Sequence, residues 1–160
     1  VSVASQIAES VEYAREQGSV LAWVATSDVL VSPDHEVKVK LFREPMLAAD
    51  AVHVADAAYV APEVLSGETK GHDPTAVVYS LAAILYHMLA GIPPFEGATT
   101  VEVARRAQKD SPPALRRVNL KVSPALAQVV ESAIDRRPEA RPRSMTEFLA
   151  ALKKSSVPIR

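Results

Sequence analysis

The sequence predicts a mainly α-helical domain with one small β-hairpin, and three observations carry that prediction. Apolar residues recur at helical spacing through most of the chain. Two capping-box signatures, Thr99-Thr100-Val101-Glu102 and Ser144-Met145-Thr146-Glu147, mark helix starts. Only the stretch around residues 29–40 alternates in the manner of strands. At 160 residues, 48% of them hydrophobic, the chain is long enough for one compact domain with a sizeable core. That domain is expected over residues 1–153, with a tail at 154–160.

The elements follow in order. Val3, Ile7, Val11 and Ala14 share one helical face, and Gly18 supplies a stop. Val29-Leu30-Val31, a turn-like Ser32-Pro33-Asp34-His35-Glu36, and Val37-Lys38-Val39-Lys40 read as a hairpin whose loop exceeds two residues. Residues 41–60 show no clean period and are expected to be ordered but irregular. A mostly apolar helix is predicted from Pro74 to Ala90, with Asp73 as N-cap and Pro74 at its first position. Thr99 begins a helix reaching about Gln108, Ser123-Pro124 one ending near Asp135, and Ser144 a last one to about Lys153.

Composition removes several functional classes. A net charge of -1 gives no general attraction to nucleic acid. The chain has no cysteine, which excludes disulfides and thiolate metal sites. The apolar run Ala76–Ile92 carries Tyr79, Ser80, Tyr86 and His87 and is bounded by prolines, so it reads as a buried core helix rather than a membrane span. His35, His53, His72 and His87 lack metal-ligand spacing, and Ser27 and Ser80 lack a His-and-acid constellation. Arg105, Arg106, Lys109, Arg116, Arg117 and Lys121 form a basic stretch, read as a solvated face with an acidic-partner docking site as the sharper alternative.

Three segments carry a more specific signal. Ala58-Tyr59-Val60-Ala61-Pro62-Glu63 contains an Ala-Pro-Glu triplet. Val78-Tyr79-Ser80-Leu81 leads to Leu85-Tyr86-His87-Met88-Leu89-Ala90-Gly91-Ile92-Pro93-Pro94-Phe95. Arg137-Pro138-Glu139-Ala140-Arg141-Pro142 precedes the last helix. In this order and at these separations, they resemble the C-lobe of bacterial serine/threonine protein kinases. The resemblance covers nearly the whole chain and implies a kinase C-lobe-like helical domain.

That register also shows departures. The family's catalytic loop is His-Arg-Asp, four residues, then Asn. Its counterpart here is Leu21-Ala22-Trp23-Val24-Ala25-Thr26-Ser27-Asp28. Trp23 holds the position of the proton-accepting Asp, and an indole nitrogen only donates. Asp28 holds the Asn position and is read as a solvated turn residue in preference to a weak metal ligand. Leu41 replaces the metal-binding Asp of the Asp-Phe-Gly segment, followed by Phe42 and Arg43. Asp56 stands where the family usually has Thr, and Val77 where it has the Asp that braces the catalytic loop. Glu63 and Arg141 occupy the positions of a buried structural ion pair.

These departures lead to the expectation of a chain that is not an enzyme: a pseudokinase domain without metal or cofactor, acting as a binding, scaffold or regulatory module. A protein partner or a second copy is expected on the face that an N-lobe would cover, with no nucleic acid and no membrane insertion. Trp23 is read as a plug of the former cleft, with an interface anchor as the alternative. Cytoplasmic placement follows from the resemblance and from the lack of a basic-then-apolar opening. Two other readings stay open. One is a fragment of a longer pseudokinase that binds nucleotide with its N-lobe; the other is unorthodox chemistry on a kinase-like frame.

Overall fold

The computed structural model describes residues 2–19, 21, 23–40, 52–68 and 73–155. It is mainly helical, with one two-stranded antiparallel sheet. Helix α1 spans Ser2–Glu16, and a 3-10 turn at Thr26–Asp28 leads into β1 (Val29–Val31) and β2 (Val37–Val39). Then come α2 (Val54–Ala57), α3 (Pro62–Leu65), α4 (Pro74–Ala90), α5 (Thr100–Lys109), α6 (Leu115–Val118) and α7 (Pro124–Ala133). A 3-10 turn at Pro138–Ala140 precedes α8 (Met145–Ser155).

Helix α4 is the axis of the fold. Every residue from Ala76 to Tyr86 is buried, as expected of a helix that is apolar on all sides. Helices α1, α6, α7 and α8 pack around it, while α5 packs on α2 and α3. Its ends are set locally. Asp73 accepts a hydrogen bond from the Thr75 amide at 2.8 Å, and Pro74 takes the first turn, where a missing N–H costs nothing. At the other end Gly91 sits at φ 76° and its amide closes on the His87 carbonyl at 2.8 Å.

The other helix starts use the residue types read from the sequence, with one difference. The Thr99 and Ser144 hydroxyls accept from the amides of Glu102 and Glu147, both at 3.1 Å. The two glutamates reach back one residue further than a capping box requires. Glu102 accepts from the Ala98 amide at 3.0 Å and Glu147 from the Arg143 amide at 2.8 Å.

The hairpin pairs Val29 with Val39, Leu30 with Lys38 and Val31 with Val37. His35 in its loop adopts φ 64°, and the Ser32 and Glu36 main chains close the turn. A two-stranded ribbon is marginal alone; here Gln6 of α1 props it. The Gln6 amide nitrogen donates to the His35 carbonyl at 3.0 Å, and its oxygen accepts from the Val37 amide at 3.1 Å.

Two sequence expectations need adjustment. The stretch 41–60 is not irregular throughout, because 54–57 form α2, capped by His53 Nδ1 accepting from the Ala55 amide at 3.3 Å. The last helix continues to Ser155, two residues beyond Lys153. Among the described residues, no helix is long and apolar enough to cross a membrane.

Candidate functional site

Two places carry the residues singled out by the sequence. The first is the stretch 21–40, which runs from the catalytic-loop counterpart into the hairpin. Trp23 is only 7% exposed and belongs to the core with Val24 and Ala25. Asp28 is not the solvated turn residue expected. It is 6% exposed, and its Oδ2 accepts from the Ala25 amide at 3.0 Å, closing the 3-10 turn. Its own carbonyl accepts from the Lys40 amide at 2.8 Å, which ties the turn to the end of β2. A carboxylate three residues ahead of a buried N–H is in range to satisfy it. That requirement is invisible until the backbone turns.

Leu41, with Phe42 and Arg43, lies outside the described residues. Among the described residues, no group of three or more His, Asp or Glu side chains stands together to hold a metal ion. Asp28 already serves the Ala25 amide, and a leucine at 41 brings no oxygen to a cation that prefers oxygen ligands. Val77 is buried near the start of α4 and, with Leu21, lines a pocket of about 180 Å³ against α1 and Met145. The register placed a polar brace at position 77; Val77 is aliphatic, and Glu12, Arg15 and Ser144 supply the polar part of the same lining.

Asp56 brings the second segment to the first. Its Oδ1 accepts from the Ser27 hydroxyl at 2.9 Å, so the loop counterpart and α2 are bridged by a side-chain bond. In the sequence Asp56 stands out as a departure, and nothing local marks Ser27 as its partner. The one available signal was that an acid and a hydroxyl stand on segments that the register juxtaposes. Three residues on, the Tyr59 hydroxyl lies 2.6 Å from His87 Nδ1, with the two rings stacked at 6.1 Å. Burial raises the Tyr59 hydroxyl above the usual phenol range, while hydrogen bonding from Thr26 acts the other way.

The second place is the junction of α3, α4 and the loop before α8. Arg141 Nη1 donates to Glu63 Oε1 at 2.6 Å and Nη2 to Oε2 at 2.9 Å, a bidentate pair with both side chains buried. The remaining N–H groups go to main-chain carbonyls: Nε to Asp135 at 2.6 Å, Nη2 to Arg136 at 3.2 Å, and Nη1 to Thr75 at 3.4 Å. All five guanidinium donors thus have acceptors. The guanidinium also lies over the Tyr79 ring, 4.9 Å from its centroid. The Tyr79 hydroxyl is buried without a hydrogen-bond partner among the described residues, and desolvation raises it far above the ordinary phenol value.

The buried Glu63–Arg141 pair joins positions some eighty residues apart, and comparison with known proteins adds a family to this geometry. The model of the protein kinase domain family matches residues 1–152. The chain belongs to that family. It is 29% identical over 160 residues to the serine/threonine-protein kinase PknB of Mycolicibacterium smegmatis, covering 95% of this chain and 25% of the relative. Against the serine/threonine-protein kinase PknF of Mycobacterium tuberculosis the identity is 30% over 161 residues, covering 94% of this chain and 33% of the relative. Among solved structures, the crystal structure of Rad53 1-466 in complex with AMP-PNP superposes with a TM-score of 0.73 at 20% identity. It covers 94% of this chain and 38% of that one, a likeness of fold. The chain spans about a quarter to a third of the length of these curated relatives.

These matches correct one expectation. The residue types at 23, 28 and 41 led to the expectation of a chain that is not an enzyme. The family match and the relatives, named as serine/threonine protein kinases, point to an enzyme. The error was one of scale. Three positions describe one loop and its neighbour, whereas phosphoryl transfer depends on groups distributed over a whole protein, and this chain matches only a fraction of its relatives.

Proposed function

We propose that this chain is the carboxy-terminal, protein-docking lobe of a bacterial serine/threonine protein kinase, working in the cytoplasm with a second body of protein seated on its hairpin. The observation that carries this reading is Leu30. It is 55% exposed on the face of a two-stranded ribbon, with Val31 beside it exposed as well. Both edges of such a ribbon offer unpaired main-chain groups, and Gln6 meets some of them from the α1 side. On that side a groove of about 660 Å³ runs between α1 and β2, lined by Tyr13, Val37 and Val39 among others. A partner protein or a second copy that covers Leu30 removes apolar surface from water at roughly 25 cal/mol per Å².

Light scattering across a concentration series, on the wild type and on Leu30→Asp, tests this reading. Growth of mass with concentration, abolished by the substitution at an unchanged melting temperature, supports a second copy. For a different partner, the expected sign is slower amide exchange over residues 29–39 in the intact protein than in this chain alone. A constant monomer mass combined with equal exchange rates sinks the reading.

The family match supports a second element, phosphoryl transfer to serine or threonine by the whole protein. The assay is transfer of labelled γ-phosphate to a serine/threonine peptide by the intact protein at saturating ATP and magnesium, with transfer expected above a no-enzyme control. No transfer under those conditions overturns it.

A further inference from the structure

The cations of this lobe fall into two groups. Arg15 pairs with Glu12 at 2.6 Å, Arg106 with Glu102 at 2.7 Å, Arg137 with Asp135 at 3.2 Å and Arg141 with Glu63 at 2.6 Å. Each is neutralised by a carboxylate within its own neighbourhood. Arg116, Arg117 and Lys121 are exposed and have no carboxylate within ion-pair distance among the described residues. The stretch 111–130 holds these three cations and not a single Asp or Glu. The nearest acids along the chain are Asp110 and Glu131, and the Glu131 carboxylate is engaged by the Leu115 amide at 2.7 Å, so cations outnumber acids on this stretch of a chain whose net charge is -1.

Apolar groups stand among these cations. Leu120 is 80% exposed, the largest exposure among the exposed large hydrophobic residues, and Val118 is exposed beside it. The Asn119 side-chain amide donates to the Leu89 carbonyl at 2.9 Å, which fixes this turn against the C-terminal end of α4, where Met88 is also exposed. The Arg116 Nε donates to the Val122 carbonyl at 3.2 Å and holds the turn closed. An ordered turn that presents a leucine between cations is a surface with a shape, not a frayed tail.

We propose that the surface made by α6, the turn to α7 and the end of α4 binds an acidic peptide segment of a partner protein. Carboxylates of the segment meet Arg116, Arg117 and Lys121, and one apolar side chain of the segment packs on Leu120, Val118 and Met88. The charge complementarity identifies the partner, and two facts distinguish a peptide from other polyanions. Residues 111–130 include no aromatic side chain on which bases would stack. Helix α6 has four residues, too few to lie in a lipid interface as an amphipathic helix. This surface is separate from the hairpin, so its binding does not depend on what covers Leu30.

The test is selection of a displayed random dodecapeptide library on the whole chain, followed by anisotropy of the enriched peptides. Enrichment of peptides with several Asp or Glu flanking a Leu, Met or Phe is expected. Arg117→Glu/Lys121→Glu should weaken them about tenfold, mainly through the association rate, and added salt should do likewise. Leu120→Ala should weaken them while leaving the salt dependence in place. Both variants alter exposed side chains and should melt with the wild type. Enrichment without acidic residues, peptides indifferent to the charge reversal, or binding to phosphatidylserine vesicles in place of peptides would each overturn the proposal.

Discussion

Two buried charges in this chain are held in opposite ways. Arg141 is satisfied by acceptors from three separate places in the sequence: Glu63, Thr75, and the neighbours Asp135 and Arg136. Asp28 accepts from the Ala25 amide, three residues away in its own turn. The first arrangement ties α3, α4 and the loop before α8 into one unit; the second shapes a single turn. The difference shows what burial alone does not reveal. A long-range pair is worth the integrity of the fold, while a local cap is worth about one hydrogen bond.

The largest effect is therefore expected at the junction. Arg141→Met leaves the Glu63 carboxylate buried without its partner and should cost about 3–5 kcal/mol. For a domain of this size that is a fall of roughly 10 °C in melting temperature, read by calorimetry. Glu63→Leu combined with Arg141→Met should recover part of the loss, because no charge remains stranded. Full recovery would break the comparison, since the carbonyls of Asp135, Thr75 and Arg136 also lose their donor.

Next comes Trp23, which stabilises the other region through packing. Trp23→Ala should cost about 3 kcal/mol, the low end for an aromatic removed from a core. A loss below about 1 kcal/mol in urea unfolding, the range of exposed sites, would mean that the indole is not buried as the structure has it. Asp28→Ala is the smaller local test, at about 1–2 kcal/mol for an N–H left without its acceptor. Asp28→Asn keeps an acceptor oxygen and should lose less. If the two variants were equal, the charge and not the hydrogen bond would be what the turn uses.

Legibility in the sequence follows the same division between local and distant. The starts of α4, α5, α7 and α8 were readable because Asp73, Thr99, Ser123 and Ser144 cap amides two or three residues ahead. Helices α2, α3 and α6 have four residues each, too few for a 3.6-residue period to show. The positions of Glu63 and Arg141 came from the register of three motifs, but the three carbonyls that complete the guanidinium shell depend on the fold and on no residue type. Asp28 was misjudged because an acid in a turn is usually solvated, and its buried amide partner exists only once the 3-10 turn forms. The bridge from Ser27 to Asp56 spans 29 residues, and no local spacing marks it.

The mildest test separates the exposed ion pairs from the buried one through pH. Hydrogen bonding from the Arg137 side chain, with its amide and charge, holds the Asp135 carboxyl below its ordinary value. A carboxyl with a depressed folded-state value adds stability above the unfolded-state value, about pH 4 for Asp. That contribution is lost as pH falls through the lower, folded-state value. Arg137→Ala removes the main cause of the depression but keeps the amide hydrogen bond at 137, so most of the contribution is lost and the acid-unfolding midpoint should move upward slightly. Because the pair is at the surface, the shift should shrink in high salt. The Arg141 junction, shielded from solvent, should show no comparable salt dependence. A midpoint that moved as far with salt in Arg141→Met as in Arg137→Ala would mean that the buried pair is more open to water than its geometry allows.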